Sequence, residues 1–135
     1  MADLTQTPAN VRINSTTQLT KVVAGETVAP GEPAYRLAAD GEYYQAGAST
    51  AALAEAAGVF INYADDGDVA YIAIGGTIDL GATLAVGAVY VVSNTTGNIM
   101  PSSDLSTGEF STVLGIATTT ALLDLSIKAS GVAIP

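Results

Sequence analysis

The sequence predicts an all-β fold: a compact β-sandwich or β-barrel with one short helix and an extended N-terminal arm. Three observations point there. Turn signals rich in Gly, Pro, Asp and Asn recur about every 8–12 residues, the spacing of small all-β domains. Short runs rich in Val, Ile and Tyr lie between them. The segment LLDLSIKAS alternates strictly, with Leu123, Leu125 and Ile127 on one side and Asp124, Ser126 and Lys128 on the other. At 135 residues the chain has the length of one domain and enough apolar residues to bury a core without staples. Only 13% of its residues are charged against 49% hydrophobic, the opposite of a disordered composition. No linker divides it, so the expected organisation is an arm over residues 1–18 and a single β body over 19–135.

The arm is polar, carries Pro8 and the run Asn14-Ser15-Thr16-Thr17-Gln18, and sustains no hydrophobic period. One short strand is expected in it, at Val11 to Ile13. Residues 19–23, LTKVV, begin the β pattern. Pro30-Gly31 and Asp40-Gly41 are turn signals; between them Pro33 to Leu37 pairs with Glu42 to Gln45 as a hairpin, and Asp40-Gly41 suits a tight turn. Pro33 fits only a strand start or an edge. Ser49 to Ala57, STAALAEAA, reads as the helix, capped by Ser49 or Thr50 and closed by Gly58. Strands follow at Val59 to Tyr63 and Val69 to Ile74, across the acidic turn Ala64 to Asp68. Gly75-Gly76 marks a strand break or bulge before Thr77 to Leu80. Ala88 to Val92 is a strand, Thr96-Gly97-Asn98 a turn and Pro101 to Gly108 a loop. Thr112 to Ala117 and Leu122 to Lys128 are the last two strands.

Composition removes whole classes of chemistry. With no Cys there is no thiolate nucleophile, disulfide or Cys-based metal site, and with no His there is no Ser-His-Asp triad or His ligand. Four basic residues stand against thirteen acidic ones, a net charge of −9, which is repelled by nucleic acid and by anionic membranes. No apolar run approaches the roughly 20 residues of a membrane-spanning helix, and MADLTQTPANVR has neither the basic nor the apolar region of a secretory leader. Asp65, Asp66 and Asp68 offer oxygen ligands for a cation, but the run lacks the full spacing of a calcium loop and reads as a solvated turn. Acid pairs for glycoside hydrolysis can be drawn from thirteen carboxylates, yet no context singles one out. Gly75-Gly76 is not a phosphate loop. The expectation is a non-enzymatic protein with no catalytic residue, metal or cofactor.

Few charges and many small residues suit packing against other protein. All six tyrosines fall in or beside expected strands, where core packing with the hydroxyl at the rim is the ordinary role. The adjacent pair Tyr43-Tyr44 cannot put both rings on one face of a regular strand, so one should point outward as an interface residue.

The segments MADLTQTPANVR, AGETVAPGEPAYRLAADGEYYQA and AAGVFINYADDGDVAYIAIGGTIDLGATL, followed by VGAVYVVSNTTGNIMPSSDLSTGEFSTVLGIATTTALLDLSIKASGVA, resemble the small capsid decoration, or cement, proteins of tailed bacteriophages. The resemblance covers nearly the whole chain and lies in turns and strands, not in a catalytic motif. It implies a virion protein made in the host cytoplasm and bound to the outer surface of the head. It also implies a homotrimer at three-fold and quasi-three-fold positions, with the major capsid protein as partner and an arm reaching over the capsid or a neighbouring subunit. Leu4, Val11, Arg12 and Ile13 are then the candidate capsid contacts in the arm, and Tyr43 or Tyr44 the candidate trimer contact. The alternative from another class is a fibre or baseplate-type module that binds a host receptor or glycan.

Overall fold

In the computed structural model, residues 3, 4 and 6–133 are described. The fold is all-β, as the alternation and turn spacing predict: one curled antiparallel sheet that forms a half-barrel. Its strands are β1 (Val11–Ile13), β2 (Gln18–Val23), β3 (Pro33–Arg36), β4 (Tyr43–Gln45) and β5 (Ala56–Phe60). They continue through β6 (Val69–Leu80), β7 (Val89–Val92), β8 (Ile99–Pro101), β9 (Phe110–Ala117) and β10 (Leu122–Ala133). The order along the sheet is β4-β3-β5-β6-β10-β9-β7-β8, with β1 and β2 also paired to β6.

β6 organises the molecule. Its first part pairs with β2 and β5, and its last part with β1 and β10. Gly75-Gly76 sits at the change of neighbours. The expected interruption there is a bulge within one continuous strand: the register slips between Gln18↔Gly75 and Leu19↔Ala73. Gly76 has φ 76°, and a Cβ on it would run into the Thr16 carbonyl oxygen. Only glycine meets both conditions, and the bulge lets one strand serve two parts of the curled sheet.

The two faces of the strands bury different cores. Val59, Ala73, Ile78, Leu80, Leu114 and Leu123 belong to the larger one, and Val22, Val28, Ala34, Phe60, Ala70 and Ile72 to the smaller. Period-two alternation explains the split: Val59 and Phe60 are neighbours in β5 and enter different cores. In β10 the expected alternation holds, with Leu123 and Leu125 buried and Asp124, Ser126 and Lys128 exposed.

The helix is the main correction to the sequence reading. It is one turn, α1 (Ala51–Ala54), capped by the Thr50 side chain, which accepts from Leu53 N–H at 3.2 Å. The remainder of STAALAEAA does not continue it, because Ala56–Phe60 is strand β5 between β3 and β6. Burial of Val59 and Phe60 outweighs the helix preference of alanine. Gly58 therefore does not close a helix. It lies where a Cβ would be 2.6 Å from the Ala73 carbonyl oxygen, so its lack of a side chain permits the close β5–β6 approach. Smaller differences are β8, a strand not expected between the Thr96-Gly97-Asn98 turn and the Pro101 loop, and β9 and β10, which extend beyond the expected ends. The β3–β4 hairpin is present, with Tyr35↔Tyr44 in register. Its loop is wider than a two-residue turn, closed by Leu37 N–H to Glu42 O at 2.9 Å, with Gly41 at φ 74°.

The N-terminal segment is extended and lies along the body. Pro8–Asn10 forms a single 3₁₀ turn before β1, which occurs at the expected residues. Leu4 N–H bonds to Ile99 O and Thr7 N–H to Gly81 O, each at 2.8 Å. Asp3 accepts from Ser93 Oγ at 2.6 Å and from Asn98 Nδ2 at 3.0 Å, and Gln6 Nε2 donates to Gly31 O at 2.9 Å.

Candidate protein-binding surface

In the N-terminal segment, Leu4 is half-buried against the larger core and Val11 is half-buried in β1. Arg12 and Ile13 are exposed; Ile13 keeps 47% of its surface. The β1–β6 register sets Val11 opposite Leu80, Arg12 opposite Asp79 and Ile13 opposite Ile78. Of the four candidates, Leu4 and Val11 thus serve largely to hold the segment down, while Arg12 and Ile13 are available to another molecule.

Tyr43 and Tyr44 do enter opposite faces of β4, as period two requires. Neither ring stands free in solvent. Tyr43 packs against the smaller core and Tyr44 against the larger, and both are half-buried. The curl of the sheet provides a core on each face, so the outward ring expected of a one-sided strand is covered here. Tyr44 hydroxyl donates to Asp40 Oδ2 at 2.6 Å. That hydrogen bond, with desolvation second, pushes the Tyr44 pKa up to about 12. The same bond, with the Glu42 backbone N–H, holds Asp40 below the usual carboxylate range. Tyr35 is pushed up by burial and by the charges of Glu26 and Asp40. The exposed tyrosines are Tyr63 and Tyr71.

The acidic turn folds on itself. Asp65 N–H donates to Asp68 Oδ2 at 3.2 Å, Asp68 N–H to Asp65 O at 2.9 Å, and Thr27 Oγ1 to Asp65 Oδ1 at 3.3 Å. All three carboxylates face solvent. Among the described residues no three acidic side chains converge as a metal site, and no helix is long and apolar enough to cross a membrane.

The surface that sequence reasoning missed lies on β2 and the first half of β6. The register aligns Leu19 with Ala73, Lys21 with Tyr71 and Val23 with Val69, so these six share one face. Leu19, Val23, Val69 and Tyr71 are large apolar side chains that keep 40%, 40%, 46% and 41% of their surface in solvent. Val23, Val69 and Tyr71 adjoin one another, with Leu19 beyond Lys21, and exposed apolar side chains grouped in this way mark an interaction site more often than a lone exposed residue does. The alternation of LTKVV and VAYIAI signals strands, but not which strand covers which face. That depends on the β2–β6 pairing, and no local pattern encodes it. Chemically the surface can bury apolar area and pair backbone.

No protein-family model matches the chain, and no curated protein shows significant sequence similarity to it.

Proposed function

We propose that this is a non-enzymatic capsid decoration protein. It binds the outside of a bacteriophage head and clamps neighbouring major capsid proteins, stabilising the expanded shell. The observation that carries the reading is the exposed apolar row of β2 and β6, on an acidic body that has no His or Cys for chemistry. The whole-chain resemblance to cement proteins gives that surface its partner. Arg12 and Ile13, exposed on a segment fastened to the body, add a second point of contact. A net charge of −9 suits the outer face of a shell better than a DNA-lined interior.

The mechanism is multivalent clamping. Each contact is weak, but a homotrimer bridges several capsid subunits, and linked contacts gain through effective concentration. Binding the expanded shell in preference to other forms stabilises it by mass action. Purified protein added to expanded heads that lack it should bind and raise the temperature at which they release DNA. Equal binding to unexpanded shells, or binding without any gain in stability, would contradict the clamp.

A further inference from the structure

We propose that the free edge of β2 is a docking strand for an extended segment of another protein, one that alternates apolar residues and carries a Lys or Arg at one end. The proposal rests on the protein-binding part of the reading above and does not require the partner to be a capsid.

The edge is open. Among the described residues, β2 pairs with β6 alone. Only past its end does the chain meet β4, where Ala24 bridges to Tyr43 and Gly25 N–H bonds to Tyr43 O at 2.8 Å. An open edge leaves a row of N–H and C=O groups unpaired. Proteins usually blunt such edges with Pro, a bulge, several charges or a covering loop. β2 has six residues, no Pro and one charge, Lys21. On its inner face, Val22 packs with Ala70 and Ile72 in the smaller core and pins the strand's register. On its outer face, Leu19 and Val23 are exposed. A strand laid beside β2 would satisfy the backbone row and cover both side chains, the arrangement of β-augmentation.

Charge selects the occupant. The exposed carboxylates of Asp65, Asp66 and Asp68 immediately precede Val69, which pairs with Val23. Lys21 lies two residues back along the strand. A matching segment therefore places apolar residues beside Val23 and Leu19 and an acid beside Lys21; past Val23, where β4 already occupies the edge at Ala24 and Gly25, its end turns off the strand and carries a cation toward the acidic turn. Complementary charge of this kind fixes register and selectivity more than raw affinity. A second copy fits poorly. The symmetric antiparallel register that sets Leu19 against Val23 also sets Lys21 against Lys21, and it joins two chains of net charge −9.

The test is an amide NMR titration of the full chain with two blocked synthetic peptides, KTVTETV and its charge-reversed form ETVTKTV. The first should shift the Gln18–Val23 amides and slow their hydrogen exchange, and the second should bind at least about tenfold more weakly. Leu19→Lys and Val69→Lys, on exposed positions that leave the core intact, should each weaken the first peptide by a similar factor. Absence of shifts in Gln18–Val23, shifts centred elsewhere, or equal binding of both peptides would overturn the proposal. Concentration-dependent broadening of β2 without peptide would assign the edge to a second copy and overturn it too. Peptide binding by a protein that does not bind heads would leave the docking strand standing and remove the capsid reading alone.

Discussion

Tyr44 lies across Gly25, where any Cβ would collide with its ring, and its hydroxyl ties the hairpin loop to the strand through Asp40. The pH dependence of this bond follows from its two shifts. Tyr44 is raised from 10.0 to about 12, so its contribution to stability is whole below pH 10.0 and is lost as the pH rises toward 12. Asp40 is lowered from 3.8, so its contribution is present above that value and is lost as the pH falls through the lowered one. Phenolate absorbance should show one tyrosine titrating near 12, and Tyr44→Phe should abolish that late step and return Asp40 toward 3.8. A Tyr44→Phe protein that keeps the late step would place it on another ring. Gly76 and Gly67 form a second contrast at this scale. Both have positive φ, 76° and 88°, but a Cβ on Gly76 meets the Thr16 carbonyl while nothing lies within 4 Å of one on Gly67. Gly67→Ala should cost about 1 kcal/mol, the backbone term alone. Gly76→Ala should cost clearly more, about 2–4 kcal/mol, once the displaced chain is included. Chemical denaturation midpoints check both, and equal losses would mean that the Thr16 contact carries no weight.

Among the elements, the N-terminal segment and β5 show where the energetics are decided. Deleting residues 1–14 removes β1 from Ile78–Leu80 and takes Leu4 off the larger core. The deletion should therefore lower the melting temperature as well as particle binding. Arg12→Glu and Ile13→Asp should weaken binding without the thermal penalty, because both side chains are exposed. A deletion that melts like the full chain would mean the segment adds nothing to the fold. Phe60→Ala should cost about 3–5 kcal/mol, since it empties the centre of the smaller core. β5 also marks the limit of what the residues alone disclose. The β class, the β3–β4 hairpin, the Gly75-Gly76 irregularity and the alternation in β10 are written in local pattern and turn chemistry. The fate of Ala56 and Ala57 is not: alanine favours helix, and only the pairing of Ala56 with Tyr35 of β3, with Ala57 at the register shift beside it, draws them into the strand. The docking row was illegible for a related reason. Leu19 and Tyr71 look like ordinary core residues until the pairing puts them on a face left partly exposed among the described residues.

At the scale of the whole molecule, a half-barrel with two small cores presents a firm acidic body with an apolar row along one side. Buried side-chain polar atoms are satisfied among the described residues. Ser93 donates to Asp3, and Thr112 to the Ala54 carbonyl. In the proposed clamp the surface acts through weak, repeated contacts, and such a surface works by number. The copy number of this chain in purified particles, measured by quantitative mass spectrometry against the major capsid protein, tests that claim most directly. The clamp predicts a ratio near one copy per capsid subunit. A few copies per particle, or none, would contradict it.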